Sequence, residues 1–393
     1  MKRTKLLQEI RKMRFEEAYG DWLNKRITQE EAARLLGVCE RSFRRYINRY
    51  EEDGLDGLTD KRLDRISHRC APVDEVMGVT ELYKSRYEGF NVKHFYRFYR
   101  DRHDGGRSYT WVKNTLQKKG LVTKSPKRGQ HRKRRPRSPY RGMMLHQDGS
   151  THEWVPNQKW DLIITLDDAT NEHYSMFFVE EEGTVSSFQG IREVIEKYGL
   201  FASLYTDRGS HYWYTPETGG KVDKVRLTQF GRAMHRLGIE MIAAYSPQAR
   251  GRCERMFGTH QERLPKELKL AGITDMEAAN KYLREVYLAA FNAEFGVPAR
   301  EDKSVFTDCI VGNIDDILCE RYERTVGNDN CVSFEGVSLQ IPADEYRCHY
   351  VKAKVRVHKH LDGTLGVFHG PRKLAGYDGQ GNLLSKKKMT AAA

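Results

Sequence analysis

Three acidic side chains lie where the chain would expose them for chemistry. Asp148 in "LHQDGS" and Asp207 in "LYTDRGS" are expected at the ends of two strands, and Glu254 in "QARGRCER" at the start of a helix. Strand ends and helix starts on one edge of an α/β sheet converge, so these carboxylates can share hard cations such as Mg²⁺. Two such ions about 4 Å apart can activate an attacking oxygen and stabilise the leaving oxygen of a phosphodiester. The pattern therefore favours metal-dependent cleavage of a nucleic-acid backbone.

Each acid taken alone also has an ordinary structural explanation. An Asp close to a Gly is more often a turn residue than a metal ligand. Glu254 stands four residues after Arg250, which is the spacing of a weak helical salt bridge. Asp167 and Asp168, also at a predicted strand end, offer a rival pair of ligands. The residues alone leave these alternatives open.

The elements that would hold the acids predict a mixed α/β core. "MLHQDGSTHEWV", "KWDLIITLDDAT" and "HYSMFFVEE" read as three consecutive strands, and "VSSFQGIREVIEKYG" as a helix. A strand in "FASLYTDRGS", a helix in "LTQFGRAMHRLG", a strand in "IEMIAAYS" and the helix of Glu254 come next. Three strands followed by alternating helices and strands indicate a mixed sheet. We assign residues 142–300 to this core.

Short strands separated by Gly and Asp turns follow the core. "CVSFEGVSLQIP", "YVKAKVRVHKH" and "GTLGVFHGPRKLAGY" are examples. They predict a small all-β domain, a barrel or sandwich, over residues 325–380. Residues 301–324 are then a connector, and residues 381–393 are a basic tail.

The N-terminal region, residues 1–65, has the pattern of a helix-turn-helix DNA-binding domain. Thr28 is a plausible N-cap with Glu31 as its capping-box partner, and Gly37 makes the turn into a second helix. Val38, Phe43 and Ile47 are expected to pack. Four arginines on the second helix can face a DNA groove; they are Arg41, Arg44, Arg45 and Arg49. A helical hairpin with a solvated basic face is the ordinary alternative.

Residues 66–123 predict a second helical unit. "SYTWVKNTLQKKGLV" resembles another recognition helix, on which Lys113 and Lys118 are candidate DNA contacts. Residues 124–141 follow as a basic linker with three prolines and no acid, which cannot form a core. Such a run is either a solvated spacer or a contact to phosphates and the minor groove, and we favour DNA contact. Its candidate residues are Lys127, Arg128, Arg132, Lys133, Arg134, Arg135 and Arg137.

The charge distribution supports nucleic-acid binding at the N-terminal end. The 393 residues carry a net charge of +13. Residues 1–140 hold 35 basic and 19 acidic side chains, a net charge of +16, so the remainder carries −3. This asymmetry indicates a DNA-binding arm joined to a near-neutral body. Seven scattered cysteines without a C-x-x-C, and no apolar run or signal peptide, predict a cytoplasmic protein with free thiols and no membrane association.

The core motifs together resemble a known superfamily. "HQDGS", "YTDRGSHY" and "YSPQARGRCER" are similar to the three signature stretches of DDE transposases of the retroviral-integrase superfamily. With two helix-turn-helix units, a basic linker and a small β-domain, the chain resembles bacterial insertion-sequence transposases, of the ISNCY group or a close relative. The resemblance implies an RNase H-like catalytic core. It places the family's metal-binding acids on Asp148, Asp207 and Glu254.

Two features depart from the superfamily pattern. The 47 positions from Asp207 to Glu254 exceed the common spacing, and "WYTPETGGKVDKVR" accounts for the surplus as an insertion. It can contact DNA or disturb the alignment of Asp207. Retroviral integrases carry lysines four and seven residues after the glutamate, where this chain has Gly258 and Gln261. We therefore expect the phosphate contacts from three nearby arginines, Arg250, Arg252 and Arg255.

The resemblance implies a DNA transposase that binds the terminal inverted repeats of its element. It would use two Mg²⁺, or Mn²⁺ in their place, to cleave and then join DNA strands. DNA ends and target DNA are the expected partners, with a homodimer or larger assembly on the bacterial nucleoid. A domesticated, non-catalytic DNA-binding protein is the alternative, and a metal-dependent nuclease without strand transfer is a weaker one.

Overall fold

The computed structural model contains two compact units, Met1–Leu82 and Tyr83–Ala393. It describes residues 2–60, 70–124, 136–217, 220–245, 251, 253–310 and 312–384, with side chains from residue 6 onwards. No helix in those ranges is both long and apolar enough to cross a membrane.

The first unit is helical and contains the predicted helix-turn-helix. Thr28 caps the second helix, because its hydroxyl accepts from the Glu31 N–H while the Glu31 carboxylate accepts from the Thr28 N–H. Gly37 has a φ of +65°, a left-handed conformation that glycine adopts without strain. Phe43 and Ile47 are buried as predicted. The helices are α1 (Lys2–Leu23), α2 (Gln29–Leu35) and α3 (Glu40–Asp53), with a 3₁₀ turn at Gly54–Leu58.

The second predicted helical unit does not form a compact unit of its own. Its helices are α4 (Val73–Arg86), α5 (Val92–Arg102) and α6 (Tyr109–Lys118). The chain divides after Leu82, so α5 and α6 belong with the core. The reason is a buried polar contact: His94 and Arg97 of α5 both bind the carboxylate of Glu267, at 2.7 and 2.5 Å. The division after Leu82 therefore falls inside the predicted unit of residues 66–123.

A five-stranded mixed sheet forms the core, as predicted. Its order is β3-β2-β1-β4-β5, with antiparallel β1–β2 and β2–β3 pairs and parallel β1–β4 and β4–β5 pairs. The strands are β1 (Leu145–Val155), β2 (Gln158–Asp167), β3 (His173–Val179), β4 (Ser203–Thr206) and β5 (Glu240–Ala243).

Helices cover both faces of this sheet. Apolar residues of α7 (Thr184–Tyr198) and α8 (Gln229–Leu237) pack with Leu145 and Leu204 on one face. The other face is covered by α9 (Cys253–Leu270), α10 (Met276–Tyr282), a π-turn at Leu283–Tyr287, and α11 (Leu288–Phe295). Alternation along β1 sends Gln147 towards α7, where it binds the Ser187 carbonyl, and Asp148 towards the face of α9.

Two small sheets follow the core. The four-stranded sheet has the order β11-β10-β9-β6, and β7 pairs with β8. These strands are β6 (Glu320–Thr325), β7 (Cys331–Phe334), β8 (Val337–Gln340), β9 (Lys354–Lys359), β10 (Leu365–His369) and β11 (Arg372–Tyr377). The predicted connector at 301–324 needs correction, because it contains most of β6. As an edge strand with the sequence "ERYERT", β6 lacks the apolar alternation that would have identified it.

Candidate active site

Asp148 lies in β1, and Asp207 directly follows the neighbouring parallel strand β4. His146 of β1 pairs in register with Tyr205 of β4, and their rings are 5.0 Å apart on one face of the sheet. Asp148 comes two residues after His146, and Asp207 comes two residues after Tyr205, just beyond the end of β4. The charges of both aspartates act on the buried hydroxyl of Tyr212.

The position of Asp148 within its strand differs from the prediction. Asp207 directly follows β4, as expected, but Asp148 is the fourth residue of β1, which continues to Val155. The strand continues because its antiparallel pairing with β2 extends well beyond Asp148. Its parallel pairing with β4 stops at His146, so the side facing Asp207 opens at the predicted place.

Glu254 lies in the first turn of α9 and is exposed. Seven residues later, Gln261 donates to the hydroxyl of Ser150, which shares the face of Asp148 on β1. A separation of seven residues returns to the same side of a helix, so Glu254 lies on the α9 face that meets β1. The donor atoms of the three acids do not all come within 4.8 Å of one another.

Sequence reasoning missed a group of residues beside the two aspartates. The Glu182 carboxylate lies against Gly149, and a side chain at 149 would require it to move. Its oxygen is 3.5 Å from the ring of His211. Tyr212 is 1% exposed, and burial together with the charges of Glu182, Asp148 and Asp207 raises its pKa well above the ordinary value. The stretch "DRGSHY" carried this signal, because His211 and Tyr212 closely follow Asp207.

The rival acids are engaged in structural hydrogen bonds. Asp167 is fully buried and accepts from the backbone N–H groups of Gly142 and Ala169. Asp168 is also fully buried; it accepts from the N–H and hydroxyl of Ser138 and binds His146 at 2.8 Å. Such carboxylates fix the strand end and are shielded from a DNA substrate.

The insertion after Asp207 is anchored at its base. Trp213 is buried and donates from its indole nitrogen to the hydroxyl of Thr206, at 2.9 Å. Tyr214 pairs with Asp223 as an isolated bridge. The Asp207 carboxylate accepts from the N–H of Gly209, at 2.8 Å. The described part of the insertion is therefore tied to the end of β4, next to Asp207.

The predicted DNA contacts are only partly within the described residues. All four arginines of α3 are exposed, Lys118 is exposed and Lys113 half-buried. Arg255 donates to the Gly251 carbonyl, and Arg137 donates to the Asp168 carbonyl and to the side chain of Asn171. The other predicted contacts lie outside the described residues; these are Lys127, Arg128, Arg132, Lys133, Arg134, Arg135, Arg250 and Arg252.

Two proteins of related sequence identify the family. The chain is 30% identical over 352 residues to the candidate transposase y4bF of Sinorhizobium fredii, covering 87% of this chain and 75% of that protein. It is 26% identical over 376 residues to the transposase for insertion sequence IS1202 of Streptococcus pneumoniae. The match covers 86% of this chain and 80% of that protein. The chain belongs to the insertion-sequence transposases.

Further similarities of this transposase concern single regions and the fold. Residues 19–75 match the family model described as winged helix-turn helix, which confirms the N-terminal helix-turn-helix and extends it beyond residue 65. A chain of the simian T-cell lymphotropic virus intasome, solved with PP2A regulatory subunit B56 gamma, is 13% identical with a TM-score of 0.35. It covers 72% of this transposase and 94% of that chain, and a score this low supports no conclusion.

Proposed function

We propose that this transposase binds the terminal inverted repeats of its element and catalyses DNA cleavage and strand transfer at an RNase H-like DDE site. One observation supports the proposal: Asp148 lies in β1, Asp207 directly follows the adjacent parallel strand β4, and the charges of both act on the same buried Tyr212. Glu254, on the same side of α9 as Gln261, completes the set of acids. The ISNCY assignment within the family is part of this proposal.

The residues present fit a pair of Mg²⁺ ions. All three acids offer carboxylate oxygens, the donor type that Mg²⁺ prefers over nitrogen or sulfur. Two bound ions would supply Lewis-acid stabilisation to an in-line displacement at phosphorus. Mn²⁺ takes the same oxygen ligands and is expected to substitute.

The chain's own residues position these acids. The β1–β2 ladder holds Asp148 rigidly, while the Gly209 N–H orients the carboxylate of Asp207. Tyr212 hydrogen-bonds to Gln147 and Ser187 at 3.2 Å and stays neutral, so it packs beside the acids without adding charge. The net reaction is attack of water on a phosphodiester to free a 3′-hydroxyl, followed by attack of that hydroxyl on target DNA.

Labelled element ends with Mg²⁺ or Mn²⁺ test the proposal. The wild-type chain should yield cleaved ends and joined products, and Asp207→Asn should bind the ends but yield neither. Asp302→Asn, at an exposed acid outside the site, is the matched control and should behave as wild type. Cleavage retained by Asp207→Asn would show that these acids are not the catalytic set. A wild type that binds ends but never cuts them would favour the domesticated, non-catalytic alternative, and cleavage without joining would favour a nuclease.

We further propose that two copies act together, because transposition joins two element ends to two target strands and two-fold assemblies are the commonest. A mixing assay tests action in trans. A Glu254→Gln chain with an intact N-terminal unit is combined with a chain carrying Arg44→Ala and Arg45→Ala. Recovered cleavage would indicate that the N-terminal unit of one copy binds the DNA end that the core of another copy cleaves. Inactivity despite demonstrated co-assembly on DNA contradicts it.

A further inference from the structure

Two histidines and an aspartate converge between the connector and the four-stranded sheet. Asp316 ends the 3₁₀ turn at Ile314–Asp316, His358 lies in β9, and His360 directly follows that strand. One potential ligand atom from each lies within 4.8 Å of the other two. This group belongs to neither the acid site nor the predicted DNA contacts.

His358 is buried without a hydrogen-bond partner. The side chain is 3% exposed, and neither ring nitrogen has a partner within the described part of the chain. Leaving a buried polar atom unpaired costs about 1–3 kcal/mol. The ring stacks on Phe368 at 4.0 Å, which holds it in place. A nitrogen lone pair is thus kept within reach of Asp316 and His360.

The hydrogen bonds around His360 leave its other nitrogen facing a carboxylate. The Thr364 hydroxyl donates to Asp362 at 2.7 Å, so its oxygen accepts from the Nδ1–H of His360 at 2.9 Å. In a neutral ring, Nε2 then carries a lone pair, and it lies 2.9 Å from Oδ1 of Asp316. Two lone pairs at this distance repel unless Nε2 takes up a proton or a metal cation lies beside them. A metal-binding histidine typically has its second nitrogen fixed in this way.

We propose that Asp316, His358 and His360 bind one zinc ion. Two imidazoles and a carboxylate are a common zinc ligand set, with water in the fourth position. Bonds of about 2.05 Å put tetrahedral ligands about 3.3 Å apart, so a bound ion would draw together three atoms that already lie within 4.8 Å of one another. Mg²⁺ prefers oxygen ligands and is not expected here.

The site would join two parts of the second unit. Ile317 and Leu318 follow Asp316 directly and are buried among the core residues that pack on α7 and α8. His358 and His360 belong to the strand that pairs with β6 and β10. Zinc at this point would therefore fix β9 to a connector that is itself anchored in the core.

A substitution at Lys373 distinguishes a zinc site from an ordinary ion pair at Asp316. Its Nζ is 3.4 Å from the same Oδ1 of Asp316. A zinc ion competes with this ammonium, so Lys373→Ala should tighten zinc binding. Thr364→Val removes the hydrogen bond that orients His360 and should weaken binding by about 10–100-fold.

The experiment uses the full chain without an affinity tag, in excess Mg²⁺ to saturate the acid site. We expect about one zinc per chain by elemental analysis, and visible absorption bands when Co²⁺ is added in place of zinc. His358→Ala and Asp316→Asn should lose the zinc and the bands, while His349→Ala, at an exposed histidine, should keep both. Circular dichroism verifies that each variant is folded.

A wild-type chain that binds no zinc and gives no cobalt bands would overturn the proposal, whatever the variants do. Binding that survives both His358→Ala and Asp316→Asn would also overturn it. In either case His360 would be the charged partner of Asp316, and Lys373→Ala would leave zinc uptake unchanged.

Discussion

The two ends of α9 carry the same kind of side chain in opposite environments. Glu254 in the first turn is exposed, whereas Glu267 in the last turns is 3% exposed. Glu267 accepts from Tyr282 at 2.9 Å and binds both His94 and Arg97. An acidic side chain on this helix is therefore not by itself a sign of catalysis. A carboxylate whose oxygens are all engaged by the fold is structural, and one presented at an exposed helix start is available to a substrate.

The pKa of Glu267 reflects this engagement. Burial raises it, but the hydrogen bond from His94 and the charge of Arg97 outweigh burial, so the net shift is downward. The carboxylate therefore stays ionised. Arg263, on the same helix, is similarly committed through paired hydrogen bonds to Glu294, at 2.6 and 2.9 Å.

Replacing Glu254 should give the largest effect. Glu254→Gln keeps the size but removes the charge that holds a cation. Cleavage of element ends should fall at least about a thousandfold, equivalent to about 4 kcal/mol of barrier. The urea midpoint should stay at the wild-type value because the side chain is exposed. Glu240→Gln, also exposed, is the control and should cut normally.

Replacing Glu267 should reverse that pattern. Glu267→Gln leaves Arg97 and His94 facing a neutral amide, and breaking a buried pair costs about 3–5 kcal/mol. The free energy of unfolding in urea should fall by that order, with any loss of cleavage following the unfolded fraction. Glu262→Gln changes an exposed carboxylate five residues earlier and should cost far less. Equal stability of the two variants would show that the buried carboxylate of Glu267 contributes no more to folding than an exposed carboxylate on α9.

Acid should act on the buried part of α9. Nδ1 of His173 donates to the Asn171 carbonyl, so its Nε2 accepts from Nε2–H of His260, whose Nδ1 accepts from the Tyr287 hydroxyl. Protonating His173 would set its Nε2–H against the Nε2–H of His260. Burial lowers the pKa of His173 to about 4 and that of His260 well below the usual range.

Because the unfolded histidines take up protons first, stability is full above about pH 6.5 and is lost as pH falls towards 4. The loss from His173 alone should be about 3 kcal/mol. Urea unfolding at a series of pH values measures this loss. A variant with both histidines replaced by leucine should be less stable at pH 7, but its free energy of unfolding should change less with pH. A wild-type stability that does not change over this range would contradict the arrangement.

The smallest effects of substitution are expected at arginines of the N-terminal unit. Unlike Arg263, these arginines are exposed. Arg44→Ala and Arg45→Ala should each cost about 1–3 kcal/mol of discrimination between element ends and unrelated DNA. Stability should hardly change, because both side chains are exposed. Competition binding at fixed salt measures the discrimination. Affinity that falls equally for all sequences would assign these arginines to phosphates.

The strands and helices of the core could be predicted from the sequence more completely than the boundaries of the domains. The strands of Asp148 and Asp207, the capping of α2 by Thr28 and the start of α9 at Glu254 follow local patterns, and the structure contains them. The β6 strand was missed because its residues are charged. The association of α5 with the core was missed because it depends on His94 meeting Glu267, which are 173 positions apart.

The acids and their neighbours show the same limit. A motif predicted Asp148 and Asp207, but only the three-dimensional arrangement adds Glu182, which is distant in sequence from either. It also separates Asp168 from them, because hydrogen bonds from Ser138 enclose that carboxylate. Sequence patterns indicate which residues can do chemistry, whereas burial determines which of them a substrate can reach.

The strand order of the core has a consequence for synthesis on the ribosome. β1, β2 and β3 are consecutive and pair with their neighbours, so this antiparallel meander can form once residue 179 has emerged. One edge of β1 then waits unpaired until β4 arrives, and exposed edges invite pairing between chains. The two aspartates cannot meet before that moment. An unpaired edge of β1 and separated aspartates therefore coexist in the nascent chain, and the addition of β4 ends both conditions together.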